Sequence, residues 1–147
     1  VNPLQKAKSA PSIKQVQKVD SEDIQKIAKE IQQYDEAYHL ADKSDDIKEL
    51  YEQFRDSILG LTTDLEVHPK KMYIAFRKGK RNYVYMSIGT KQIRIWLNMP
   101  FNQLDDPKQL AKDVTNIGHW GNGDCEVIVS DTENLEYILS LIKQTLK

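Results

Sequence analysis

The stretch MYIAFRKGKRNYVYMSIGTKQIRIWL, residues 72–97, decides the architecture. Its apolar period is two. Met72, Ile74 and Phe76 alternate with Tyr73, Ala75 and Arg77; Val84, Met86 and Ile88 alternate with Tyr83, Tyr85 and Ser87; Ile93, Ile95 and Leu97 alternate with Gln92, Arg94 and Trp96. Gly79 and Gly89 fall between the runs, where turns are needed. Alternation with such punctuation predicts a three-stranded antiparallel meander with one aliphatic face and one aromatic, cationic face.

The flanks read as helices. N-terminal to the meander, Ser44 caps a helix whose first turn carries Asp45 and Asp46, whose buried face is Ile47, Leu50, Tyr51, Phe54, Ile58 and Leu59, and which Gly60 stops. Before it, Ser21 caps residues 22–38, with Ile24, Ile27, Ile31, Tyr34 and Tyr38 in one narrow stripe. C-terminal to the meander, Asp106 and Pro107 predict a short helix burying Leu110, Ala111 and Val114. Cys125, Val127 and Val129 mark a fourth strand, and Ser130 with Glu133 forms a capping box for a last helix. That helix buries Leu135, Ile138, Leu139, Ile142 and Leu146. The expected class is α+β, with helices on one face of a mostly antiparallel sheet. Residues 1–20, rich in Lys, Gln, Ser and Pro, read as linker; residues 21–43 as an N-terminal helix; residues 44–147 as a single α+β domain.

Composition narrows function by exclusion. The 21 basic and 22 acidic residues leave a net charge of -1, so bulk charge predicts neither nucleic-acid nor membrane binding. No apolar run reaches the roughly 20 residues of a membrane span. A single cysteine, Cys125, excludes an internal disulfide and fits the reducing cytoplasm. Charge is nevertheless segregated. Residues 20–66 carry 14 acidic and 5 basic side chains; residues 67–94 carry 8 basic ones and no acidic ones.

Two readings of the basic segment compete. Tyr73, Arg77, Tyr83, Tyr85, Arg94 and Trp96, with Lys78, Lys80 and Arg81 at the turn, could stack bases and hold phosphates on an open sheet face. Equally, cross-strand aromatics stabilise sheets and cations guard strand edges. The segment NIGHWGNGDCEV, residues 116–127, raises a parallel choice. It lacks the lysine of a phosphate loop and runs from helix to strand, and its His119, Asp124 and Cys125 have no strong metal-ligand spacing. A Cys125 nucleophile with His119 as base is one reading; a buried thiol at a strand start is the other. His119 and Trp120 therefore mark either a binding loop or a corner. No cofactor and no metal is expected.

KKMYIAF, LDDPKQLAKDVTNIGHWGNGDCEV and NLEYILSLIKQ together resemble a bacterial and archaeal domain family described as a predicted transport protein or a domain of unknown function. The resemblance runs over roughly residues 36–146. Family members are similar to modules that follow nuclease-type regions in restriction-like defence proteins, and the layout also resembles small YjbR-type domains. The resemblance implies a non-enzymatic accessory domain binding DNA, RNA or a nuclease domain of the same parent chain, through the basic aromatic face and the His119-Trp120 loop. It transfers no catalytic residue. The competing expectation is a small enzyme or ligand-binding domain with a pocket at that loop. The stripe of residues 22–38 would instead dock on a neighbour or a second copy.

Overall fold

The computed structural model describes residues 34–117 and 123–147. Helix α1 (Glu36–Leu40) begins at Asp35, whose carboxylate accepts the Tyr38 amide at 2.9 Å. Asp35 is extended, so the helix expected over residues 22–38 does not run through it. Its remaining positions, 22–33, lie outside the described residues, as does the linker reading of residues 1–20. The Glu36 carboxylate ties α1 to the next helix by accepting from the Tyr51 hydroxyl and from Arg55 Nη1, the latter at 3.3 Å.

Helix α2 (Asp45–Leu59) follows its sequence signals closely. Ser44 Oγ accepts the Ile47 amide at 3.2 Å, two aspartates occupy the first turn, and Gly60 closes the helix. Ile47, Leu50, Tyr51, Phe54 and Ile58 are its buried face. These residues pack on a sheet larger than the predicted meander. Strands β1 (Glu66–Pro69), β2 (Ile74–Lys78), β3 (Arg81–Ile88), β4 (Ile93–Leu97), β5 (Lys112–Asp113) and β6 (Cys125–Val129) form one antiparallel sheet in the order β1-β2-β3-β4-β6-β5. The meander is its centre. β1 was not expected, because EVHP has neither alternation nor length, and it exists by pairing with β2.

The aliphatic residues of the strands share one face. Ile74, Phe76, Val84, Met86, Ile93, Ile95, Leu97, Cys125, Val127 and Val129 meet α2 and helix α3 (Leu135–Thr145) in the main core. Leu141 is fully buried there, although its position was not assigned to the helix's apolar face. The α+β class stands. No helix among the described residues is long and apolar enough to cross a membrane.

The structure departs from expectation around Asp106. No α-helix forms there: a 3-10 turn at Phe101–Gln103 precedes an open loop, and Gln109 takes φ 55°. The aspartate that looks like a helix cap spends its carboxylate otherwise. It accepts the amides of Leu110 at 3.2 Å and Ala111 at 2.8 Å and the hydroxyl of Tyr137 on α3. About two helical turns further along, Gln144 clamps Asp105 by both its amide and its carbonyl, each at 2.9 Å. The expected capping box is also absent, since α3 starts at Leu135 after Asn134 and the Glu133 amide goes to Asp131. LDDP and LEYILSLIKQ are thus two halves of one fastening.

Burial alone would raise the Asp106 pKa, but the hydrogen bonds from Tyr137, Ala111, Leu110 and Gln109 outweigh it and hold the carboxyl below its ordinary 3.8. A depressed folded pKa contributes stability above the unfolded value and loses it as pH falls through the folded value. We expect Asp106→Ala to cost about 1–2 kcal/mol at neutral pH. The difference from wild type should shrink on acidification below the ordinary value of 3.8. Urea titrations across that range check both the size and the sign.

Candidate nucleic-acid interface

Strands β2 and β3 join through Gly79 and Lys80, with Lys78 and Arg81 directly opposite each other. Gly79 has φ 63°, the sign that a two-residue hairpin turn demands at its first central position. Four cations thereby crowd one tip. Lys78, Lys80 and Arg81 are exposed and Arg77 is half-buried. Their contacts are weak ones: Arg77 Nε donates to the Gly79 carbonyl at 3.2 Å, and Lys78 Nζ to Thr62 Oγ1 at 3.5 Å. The Arg81 guanidinium lies 5.1 Å from the centre of the Tyr83 ring. Among the described residues, the ion pairs engage Arg55, His68 and Arg94, and none engages these four.

Tyr83 owes its position to a β-bulge. Phe76 pairs with Val84 but Arg77 pairs with Asn82, so Tyr83 has no partner across the hairpin. Asn98, just past β4, satisfies the displaced backbone: its amide donates to the Tyr83 carbonyl at 3.0 Å and its side chain to the Asn82 carbonyl at 2.7 Å. Tyr83 packs half-buried against the main core. Strict alternation, which grouped it with Tyr85, cannot anticipate the inserted residue.

The aromatic face is closed around Tyr85 and Trp96. Tyr85 and Trp96 are each 1 % exposed, in a second apolar cluster with Ala75 and Val114 and with Tyr73 half-buried at its rim. Tyr73 and Tyr85 meet edge to face, with centroids 5.2 Å apart. In this conformation neither Tyr85 nor Trp96 can stack on a base. Trp96 faces Glu126 across β4 and β6, and its indole N–H donates to the Glu126 carboxylate at 3.0 Å. Arg94 approaches the same carboxylate at 3.9 Å and remains half exposed. Glu126 is itself buried. Nothing in its position on an alternating strand announces this; the signal is its register opposite Trp96, which needs the strand pairing to be seen.

The cations of residues 67–94 also do not form one patch. Arg77, Lys78, Lys80 and Arg81 lie at one end of the eight-residue β3, whereas Lys91 and Arg94 lie at the other. At about 3.4 Å per residue that strand separates the groups by roughly 24 Å.

His119 and Trp120 lie outside the described residues. Of their neighbours, Cys125 is buried with its thiol against the Met99 carbonyl at 3.4 Å. Burial, reinforced by the negative charges of Asp124, Asp113 and Asp106, pushes the thiol up to about 12. Such a thiol is not a nucleophile at neutral pH. The His39 Nε2 meets the Lys70 carbonyl at 2.5 Å, and burial lowers its pKa. Among the described residues, no three His, Cys, Asp or Glu side chains converge as a metal site.

Comparison with known proteins adds a family and a relative. The model of a family described as "Domain of unknown function (DUF5655)" matches residues 36–145. An "Uncharacterized protein" of Haemophilus influenzae (strain Rd) is 52 % identical over 147 residues, which is 100 % of this chain and 48 % of the relative. The chain thus spans about half the length of the curated relative it matches. No solved structure matches.

Proposed function

From the premise that the chain belongs to the DUF5655 family, we propose that it is a non-enzymatic accessory domain that binds nucleic acid through the β2–β3 hairpin, within a restriction- or defence-type protein. The observation that carries the reading is the tip itself: Arg77, Lys78, Lys80 and Arg81 within five residues, without a carboxylate partner among the described residues. Unpaired cations on a rigid turn are suited to phosphate oxygens, whose counterions they release on contact. Tyr83, under the Arg81 guanidinium and packed against the core, adds an aromatic surface beside them. The defence context rests on the GHWGNGD string and its neighbours in the sequence, and it makes a nuclease region of the parent chain the natural partner.

Affinity for a labelled duplex should fall with salt. Four phosphate contacts predict a slope of log Kobs against log salt of about -3.6. Lys78→Glu with Arg81→Glu should abolish binding while leaving the melting temperature nearly unchanged, because both side chains are exposed. Absence of binding to DNA and RNA at low salt would refute the proposal.

A further inference from the structure

A second cationic site lies at the opposite end of β3. Strands β3 and β4 turn over residues 89–92, closed by the Gly89 amide donating to the Gln92 carbonyl at 2.8 Å. The amides of Thr90 and Lys91 make no backbone hydrogen bond among the described residues. Just below the turn Ser87 and Arg94 are cross-strand partners, so their side chains stand next to each other on the same face of the sheet. Ser87, Gly89, Thr90, Lys91, Gln92 and Arg94 line a cleft of about 270 Å³. Two of the six are cations, two bear hydroxyls, and none is acidic.

We propose that this cleft is a phosphate-group site, taking a phosphate monoester or inorganic phosphate. Arg94 is what distinguishes it from an ordinary charged turn. Behind the guanidinium stands the buried Glu126 carboxylate, itself held by the Trp96 indole, so the arginine is braced from the sheet side while half its side chain stays exposed. Glu126 does not line the cleft, and a guanidinium with five N–H donors keeps several for a ligand. Lys91 supplies a point charge from the turn, and the hydroxyls of Ser87 and Thr90 can donate to phosphate oxygens. The set offers charge-assisted hydrogen bonds to a compact tetrahedral anion. The site is separate from the hairpin tip and stands whether or not the tip binds nucleic acid.

Titrating the whole chain with inorganic phosphate, at ionic strength matched with chloride, tests the site by amide NMR. Saturable shifts confined to residues 87–94 are expected. Lys91→Glu, which disturbs no buried group, should weaken them about tenfold, the loss of one charge-assisted contact. Arg94→Lys should weaken them also, with an unchanged melting temperature showing that the fold is kept. A nucleoside 5′-monophosphate and oligonucleotides with and without a 5′-phosphate identify the source: tighter binding of the phosphorylated strand assigns the site to nucleic-acid ends, and equal binding of all phosphates assigns it to the free anion. Either result supports the site. Shifts that never saturate, or that appear equally at residues 77–81, overturn it.

Discussion

Gly123→Ala should unfold the domain under conditions where wild type is stable. Gly123 has φ 124°, and a Cβ built there would stand 2.4 Å from the Leu97 carbonyl oxygen and 2.9 Å from its carbon. Both obstacles are backbone, and Leu97 is fully buried on β4, paired with Cys125 two residues beyond the glycine. No rotamer change relieves the clash. Overpacking costs about 1–3 kcal/mol and an unfavourable φ about as much again, so a loss of roughly 3 kcal/mol or more is expected. A lower urea midpoint at unchanged slope would show that loss as stability alone. A stability within about 0.5 kcal/mol of wild type would show that the strand can shift to admit a side chain.

The second large effect belongs to Trp96. Its truncation to alanine removes the largest side chain of the second apolar cluster and takes the N–H from Glu126, so about 3–5 kcal/mol should be lost. Trp96→Phe separates the two contributions. It keeps most of the ring but leaves the buried carboxylate with Arg94 at 3.9 Å as its remaining described partner, at a cost of about 1–3 kcal/mol. Adding Glu126→Leu to Trp96→Phe should recover part of that cost, since replacing both partners by apolar groups removes the unpaired acceptor. No recovery would mean that the indole N–H contributes little. Hairpin binding should survive Trp96→Phe, because the indole is buried in the second apolar cluster, to which none of the tip cations belongs.

The elements legible in the sequence are those fixed by local interactions. Ser44, Gly60 and the stripe from Ile47 to Ile58 carry α2 because caps and period act within a few residues. The central strands are legible for the same reason. Asp106 misleads because a carboxylate that can cap a helix can equally gather the amides of a loop; the deciding partner, Tyr137, is distant in sequence. Tyr85 and Trp96 mislead because alternation identifies the second face of a sheet without revealing whether that face is covered, here partly by Val114 from beyond β4. The eight cations are countable, but the separation of Arg77, Lys78, Lys80 and Arg81 from Lys91 and Arg94 follows from the turns and the register. The bulge at Tyr83 has no composition signal at all.

The shortness of β5 has a consequence for folding in crowded solution. Lys112 and Asp113 pair only with Glu126 and Cys125, which leaves Val127, Ile128 and Val129 of β6 without a strand neighbour on that side among the described residues. An open Val-Ile-Val edge is a template for pairing between chains, most of all when the loop fastened by Asp106 has not yet docked. Asp131 and Glu133, exposed just past the end of β6, place two negative charges beside that edge. Charges beside an open edge disfavour its pairing with another chain.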